Sequence, residues 1–154
     1  MSPDVEFAHR RTTWGVLRSR TVGTPRDGVP EVVVVPGLAV ANYLQPALSE
    51  LGAWTRAHLV ELPGFSGSGE PPHPMDVGQF ADAVVQWLAA SGLDRVVLAG
   101  HSSGTQVAAR AAARRPPNVR ALVLASPTVD PRFRSLPRVL LAWRRNHELE
   151  PASL

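Results

Sequence analysis

Apolar and polar positions follow two patterns along this chain: short β-branched runs and longer stretches with helical spacing. The run EVVVV at 31–35 is typical of a strand buried on both faces. Residues 76–93 open with an aspartate suited to N-capping and carry apolar residues at helical spacing. Together these patterns predict strands at 31–35, 56–62, 95–100 and 119–126, and helices at 44–54, 76–93 and 103–115.

Strands that alternate with helices predict the α/β class, with a mostly parallel sheet and helices on both faces. Residues 5–22 alternate more weakly and predict an antiparallel pair of strands ahead of that sheet. The stretch at 63–74 is rich in glycine and proline and predicts a long loop. After the last predicted strand, RFRSLPRVLLAWRRNHELEPASL predicts an arginine-rich helix.

The composition is that of an ordinary globular chain, with 44% hydrophobic and 19% charged residues among 154. All 16 basic residues are arginine, a bias typical of GC-rich bacterial genes. The net charge is +3 and aromatic residues are sparse, so we expect the arginines to form a solvated surface with no nucleic-acid partner.

The sequence predicts neither a membrane-spanning segment nor a metal site. No apolar stretch approaches the roughly 18 residues that cross a bilayer, and MSPDVEFAHRRTT lacks the apolar segment of a secretory signal. We therefore expect a cytoplasmic protein without membrane association. The chain has no cysteine, and its histidines and carboxylates lack ligand spacing, so we expect neither a metal nor a cofactor.

The stretch LAGHSSGTQV places Ser102 in a G-x-S-x-G pattern, where a predicted strand ends and a predicted helix begins. Such a junction holds a nucleophilic serine in a tight turn, so that its hydroxyl projects clear of the sheet. The next amide, that of Ser103, would lie at a helix N-terminus, which favours negative charge. We predict Ser102 as a nucleophile and the Ser103 amide as an oxyanion donor. The simpler alternative is a serine that caps a helix.

With these motifs in order, segment 31–130 resembles the α/β-hydrolase superfamily, specifically monomeric hydrolases such as esterases, C–C bond hydrolases, epoxide hydrolases and haloperoxidase-like enzymes. ELPGFSGSGEPP at 61–72 is similar to the loop that these proteins write as D-x-P-G-x-G-x-S, and VRALVLASPTVDP at 119–131 to their sixth strand and the following loop. The resemblance implies that the backbone amide of Leu38 is the second oxyanion donor. This sequence departs from the family at Pro36, because the family usually has His-Gly where this chain has Pro36-Gly37.

The resemblance also implies an acid and a histidine on loops after later strands, in the order nucleophile, acid, histidine. We therefore expect an α/β-hydrolase fold truncated after about the sixth strand, with 1–132 as the N-terminal part of the core and 133–154 as the start of a cap. Asp130 falls where some lipases of this fold place the acid, although a turn before Pro131 explains it more simply.

The histidines of this sequence do not supply an evident base. The resemblance makes His101 a common neighbour of the nucleophile and not the base. His147 lies in the predicted cap helix, away from the serine. His9, His58 and His73 precede the motif and are predicted to be surface or loop residues.

Two functions therefore stay open. The first is a serine hydrolase that cleaves an ester, amide or C–C bond by acyl transfer through Ser102, present as a partial chain without the triad histidine. The second is a non-catalytic ligand-binding or pseudo-hydrolase fragment, or one half of a two-chain hydrolase. We expect an apolar acyl or ester compound as the small-molecule substrate, little or no activity of the isolated chain, and self-association through an exposed sheet edge.

Overall fold

The computed structural model describes residues 4–37, 41–127 and 135–147. A 3-10 turn at Ala41–Leu44 precedes the first helix. The described strands are β1 (Glu6–Thr12), β2 (Gly15–Val22), β3 (Glu31–Val35), β4 (Ala57–Val60), β5 (Val96–His101) and β6 (Val119–Ala125), and the helices are α1 (Gln45–Gly52), α2 (Val77–Ser91), α3 (Gly104–Ala113) and α4 (Leu136–His147).

These strands form one sheet in the order β1-β2-β4-β3-β5-β6. β3 is parallel to β4 and β5, and β6 is parallel to β5. β1 and β2 form the predicted antiparallel pair, and β2 joins the rest of the sheet by an antiparallel pairing with β4. The predicted α/β-hydrolase fold with a mostly parallel sheet is therefore confirmed.

The apolar run of β3 is buried on both faces because helices cover both faces of the sheet. Val33 and Val35 pack with side chains of α2 and α3, including Trp87 and Val107. Val34 points to the opposite face and packs with Leu48 of α1, among other residues. Alternate side chains of one strand thus enter two separate cores, which is why the run has no polar position after its first residue.

Helix α2 starts where the sequence predicts it. The Asp76 carboxylate accepts a hydrogen bond from the Gln79 backbone N–H, and the Gln79 side chain accepts one from the Asp76 N–H. This reciprocal capping box satisfies two backbone donors that a helix start otherwise leaves unpaired. The helix ends at Gly92, whose φ of +73° suits glycine.

β6 forms one edge of the described sheet, and its apolar side chains are exposed on both faces. Leu122, Val123 and Leu124 are 38%, 49% and 44% exposed. Helix α4 confirms the predicted helix after β6, and it too exposes apolar side chains, among them Leu140 and Trp143. The proposed boundary at 132/133 lies outside the described residues, so the division into core and cap stays a prediction. Within the described ranges, no helix combines the length and apolar character that crossing a bilayer requires.

Candidate active site

The structure places Ser102 in the turn between β5 and α3, with φ at +53°. This left-handed conformation is uncommon for a residue with a side chain. Neighbouring elements hold it in place: the Ser102 N–H donates to the Ala125 carbonyl of β6 at 3.0 Å, and the Ser102 carbonyl accepts from the Thr105 hydroxyl at 2.6 Å and from its backbone N–H at 3.1 Å. The sheet and the helix together therefore fix the backbone that carries the hydroxyl.

The glycines of the motif let α3 approach the sheet closely. A Cβ on Gly104 would overlap the carbonyl oxygens of Val35 and Pro36 at the end of β3. A Cβ on Gly100 would lie 2.7 Å from the Gly104 carbonyl oxygen and from the Thr105 Cα. Because both obstacles are backbone atoms, neither can move aside as a flexible side chain could. The glycines of the G-x-S-x-G pattern are thus a packing requirement of this turn.

Ser103 is the N-cap residue of α3, so its backbone amide lies at the positive end of the helix dipole. Its side chain makes no capping hydrogen bond. The other predicted site residues, Leu38 and Asp130, lie outside the described residues, as does the side chain of His147. The structure therefore brings together Ser102 and Ser103 at one turn. The catalytic roles of these two residues, like those of Leu38 and Asp130, stay predictions.

Gly37, which directly precedes Leu38, lies against Ser102. A Cβ on Gly37 would lie 3.0 Å from the Ser102 Cβ, 3.4 Å from its Oγ and 3.1 Å from the Tyr43 hydroxyl. Only a residue without a side chain fits between these groups without displacing them. The loop that leaves β3 is therefore packed directly against the turn that leaves β5.

The Tyr43 hydroxyl joins these two segments. It accepts a hydrogen bond from the Gly37 N–H at 3.0 Å and lies 2.8 Å from the His101 Nδ1. Since its oxygen already accepts from Gly37, its own proton can donate to that nitrogen. His101 therefore uses Nδ1 to anchor the loop through Tyr43.

The sequence analysis missed this contact. Tyr43 and His101 are 58 positions apart, and no periodic pattern connects a residue in a short turn with one at the end of a strand. The available signal was the departure from the family at Pro36, where the histidine that the family usually has is missing.

His58 corrects a prediction, since it is neither a surface nor a loop residue. It lies in β4 and is only 7% exposed. Its Nδ1 is 2.9 Å from the Thr21 Oγ1, and its Nε2 is 2.8 Å from a Glu31 carboxylate oxygen. Burial lowers the pKa of His58, although the neighbouring Glu31 acts in the opposite direction. Glu31 begins β3, so this cluster lies at the opposite end of the parallel strands from Ser102.

The loop after β4 is held by a buried carboxylate, Glu61. This carboxylate accepts hydrogen bonds from Arg18 at 2.6 and 3.0 Å, from Arg20 at 2.7 Å and from the Gly67 N–H at 2.7 Å. Burial alone would raise the pKa of Glu61, but these hydrogen bonds outweigh it and lower that pKa. The glutamate stands where the resembled motif has aspartate, and it fixes one wall of the site.

Comparison with known proteins agrees with this geometry. A family model described as "alpha/beta hydrolase fold" matches residues 30–149. The chain is 33% identical over 119 residues to a pimeloyl-[acyl-carrier protein] methyl ester esterase of Pseudoalteromonas atlantica, which covers 76% of this chain and 42% of that protein. It is 32% identical over 111 residues to the abhydrolase domain-containing protein abhd-5.2 of Caenorhabditis elegans, covering 66% of this chain and 25% of that protein.

Among solved structures, the N-acyl homoserine lactonase AidH, as its E219G mutant complexed with N-hexanoyl homoserine, superposes with a TM-score of 0.71 at 21% identity. The superposition covers 80% of this chain and 46% of that one. This chain thus spans less than half the length of each of these three proteins. Because the family model matches well over half of its residues, the chain belongs to the alpha/beta hydrolase fold family.

Proposed function

We propose that this chain carries the nucleophile of a serine hydrolase that acts by acyl transfer through Ser102 on a small acyl or ester substrate. The observation that carries the proposal is the φ of +53° at Ser102, between β5 and α3. Ser66, Arg115 and Ser126 share this left-handed backbone, and Ser102 differs from them because its turn joins a parallel strand to a helix within the G-x-S-x-G pattern of a nucleophile. A helix-capping role for Ser102 explains this backbone less well, because the N-cap of α3 is Ser103.

The names of the relatives support the same reaction class. An ester esterase and a lactonase both act on carbonyl carbons, and attack on such a carbon develops an oxyanion that backbone amides can stabilise. In this chain the Ser103 amide, together with the predicted amide of Leu38, would serve that purpose. The precise bond cleaved, whether ester, amide or C–C, follows from neither the fold nor the turn.

The general base and the acid are proposed to come from polypeptide outside the described residues. A base must reach hydrogen-bond distance of the serine hydroxyl. The structure describes four histidine side chains. His101 is hydrogen-bonded at Nδ1 to Tyr43, and His58 lies at the far end of the strands. His73 contacts the Pro74 carbonyl, and His9 lies on the edge strand β1, which three strands separate from β5. The relatives are more than twice as long as their matched region, so the rest of such a protein, on the same or a second chain, has room for both groups.

Because the Nδ1 of His101 is hydrogen-bonded to Tyr43, this histidine also favours a second function, that of a ligand-binding fragment of the same fold without catalysis. Both functions use the same site and the same small-molecule ligand. They differ in whether Ser102 reacts. A cytoplasmic location, and the lack of nucleic-acid and membrane partners, stay predictions from the sequence.

Reaction with a fluorophosphonate activity probe tests the proposal. We expect the chain, assembled with the segment that supplies the base, to be labelled at Ser102 and to lose labelling in Ser102→Ala. Ser103→Ala is the matched control, because only its backbone amide is assigned a role, and it should still be labelled. Labelling that persists in Ser102→Ala, or that never occurs in the assembled protein, would contradict the hydrolase proposal and leave the binding function.

A further inference from the structure

A cavity of about 390 Å³ lies between the N-terminal ends of α2 and α3, beside the nucleophile. We propose that it binds the unbranched aliphatic chain of the substrate's acyl group. This inference rests on the proposed function and specifies the class of substrate.

The position of the cavity links it to the reacting serine. Pro36, Leu62 and Ser103 line it, and each follows the end of one parallel strand, β3, β4 and β5 respectively. Ligands of open α/β sheets bind outside the carboxyl ends of the strands. Ser103 and Gly104 directly follow Ser102 in the chain, so the cavity lies next to the turn that carries the serine.

The walls are suited to an uncharged chain. Leu62, Met75, Val77, Phe80 and Val107 present apolar side chains to the cavity. Asp76 is the charged residue among its described lining, and its carboxylate already accepts the Gln79 N–H at 2.9 Å as the N-cap of α2. The polar residues Ser103 and Gln106 lie on the α3 side, so it is the wall of Leu62, Met75, Val77 and Phe80 that offers a charged group no partner to replace its lost hydration.

The volume limits the length of the chain. Small-molecule sites range over roughly 300–1,000 Å³, and a cavity of about 390 Å³ lies near the lower end of that range. An aliphatic chain of the substrate therefore fits within this volume.

A larger cavity, about 690 Å³, does not fit this role. It lies at the other end of the sheet, between the C-terminal ends of α2 and α3, and its lining includes Arg114, Arg115 and Arg120. It is remote from Ser102 along the strands, and its arginines disfavour an aliphatic chain. In the experiments below, this larger cavity serves as the control site, where octanamide is not expected to bind.

Titration of octanamide into the isotope-labelled Ser102→Ala variant, followed by amide chemical shifts, tests the inference. Octanamide is neutral and carries an aliphatic chain on a carbonyl, and acetamide provides the same head group without the chain. We expect octanamide to shift the amides of Val77, Ser103 and Val107, and acetamide to leave them unchanged. Binding to Ser102→Ala needs no chemical step, so its failure would overturn the cavity assignment alone, and failure of Ser102 labelling would overturn the proposed function alone.

Two substitutions locate the binding site. Met75→Trp fills the cavity from its partly buried side, and we expect the dissociation constant of octanamide to rise about tenfold because the indole displaces methylene groups. Gln106→Trp, at an exposed lining position, should act in the same way if Met75→Trp fails to fold. Ala89→Trp is the matched control, because Ala89 is exposed on α2 but lines the larger cavity. Unchanged affinity in both filling variants, or a loss confined to Ala89→Trp, would overturn the proposal.

Discussion

Replacing Tyr43 with phenylalanine tests whether one hydroxyl group holds the loop after β3, which carries Gly37, against the turn that carries Ser102. The substitution keeps the ring, whose centroid is 5.3 Å from that of His101, and removes only the oxygen. Two hydrogen bonds disappear with it, from the Gly37 N–H and to the His101 Nδ1. The loop that carries Gly37 would then lose its hydrogen-bonded connection to the end of β5.

The two lost bonds differ in cost because their environments differ. Gly37 is buried, so its N–H has no water to replace the hydroxyl, and a buried unsatisfied donor costs about 1–3 kcal/mol. His101 is only half-buried, and water can reach it in place of Tyr43, which is itself 46% exposed. We therefore expect the free energy of unfolding to fall by about 1.5 kcal/mol, nearly all of it from Gly37.

Urea denaturation gives the change in free energy, and hydrogen exchange of the Gly37 amide gives its location. Ser49→Ala is the matched control: it removes a part-buried hydroxyl whose bond, to the Gln45 carbonyl at 3.0 Å, lies within α1. We expect faster exchange of the Gly37 amide in Tyr43→Phe and no change in Ser49→Ala. If Tyr43→Phe is as stable as the unmodified chain and its Gly37 amide exchanges no faster, the anchoring argument is wrong.

Four further outcomes are expected. Gly104→Ala should destabilise the chain by about 3 kcal/mol, because its Cβ meets backbone carbonyls that cannot move aside; denaturant unfolding measures this, and an unchanged midpoint would refute the packing argument. The isolated chain should hydrolyse p-nitrophenyl acetate no faster than its Ser102→Ala variant, since it has no described base; turnover lost only in Ser102→Ala would reveal one. Burial depresses the pKa of His58, so the unfolded chain binds more protons than the folded chain, and the free energy of unfolding should fall as the pH drops below 6.5. The dependence of that free energy on pH should be weaker in His58→Gln. An equal dependence in both proteins would contradict the pKa assignment. The exposed apolar edge of β6 should make the chain self-associate, which light scattering across a concentration series would detect, and Val123→Arg should reduce it; a monomer at every concentration would count against the prediction.

Much of the fold follows from local pattern. The run EVVVV demands burial on both faces, and β3 obtains it between β4 and β5 with helices above and below. The aspartate at 76 starts α2 because its side chain satisfies a backbone donor within the same turn. Such features were predictable because the interacting residues lie close together in the sequence.

Contacts between distant segments were not predictable in this way. His58 sits in a short strand whose neighbours are apolar, and nothing near it in sequence identifies Thr21 and Glu31 as its partners. The bond from Tyr43 to His101 likewise depends on how the loop after β3 meets the end of β5. Polar groups of this kind are buried only because partners from other strands compensate their loss of hydration, and a single sequence does not record that pairing.

The strand order explains why the loop after β3 and the turn at Ser102 meet at one end of the sheet. β3 and β5 are adjacent and parallel, with Val35 opposite Gly100. Both strands therefore end at the same level of the sheet, and Gly37 meets Ser102 directly. β6 completes the turn from the other side, because its Ala125 carbonyl accepts the Ser102 N–H. Three neighbouring strands therefore position the turn at Ser102 and the loop beside it. Under the proposed function, these strands would set the geometry of attack, and proton transfer would depend on groups outside the described residues.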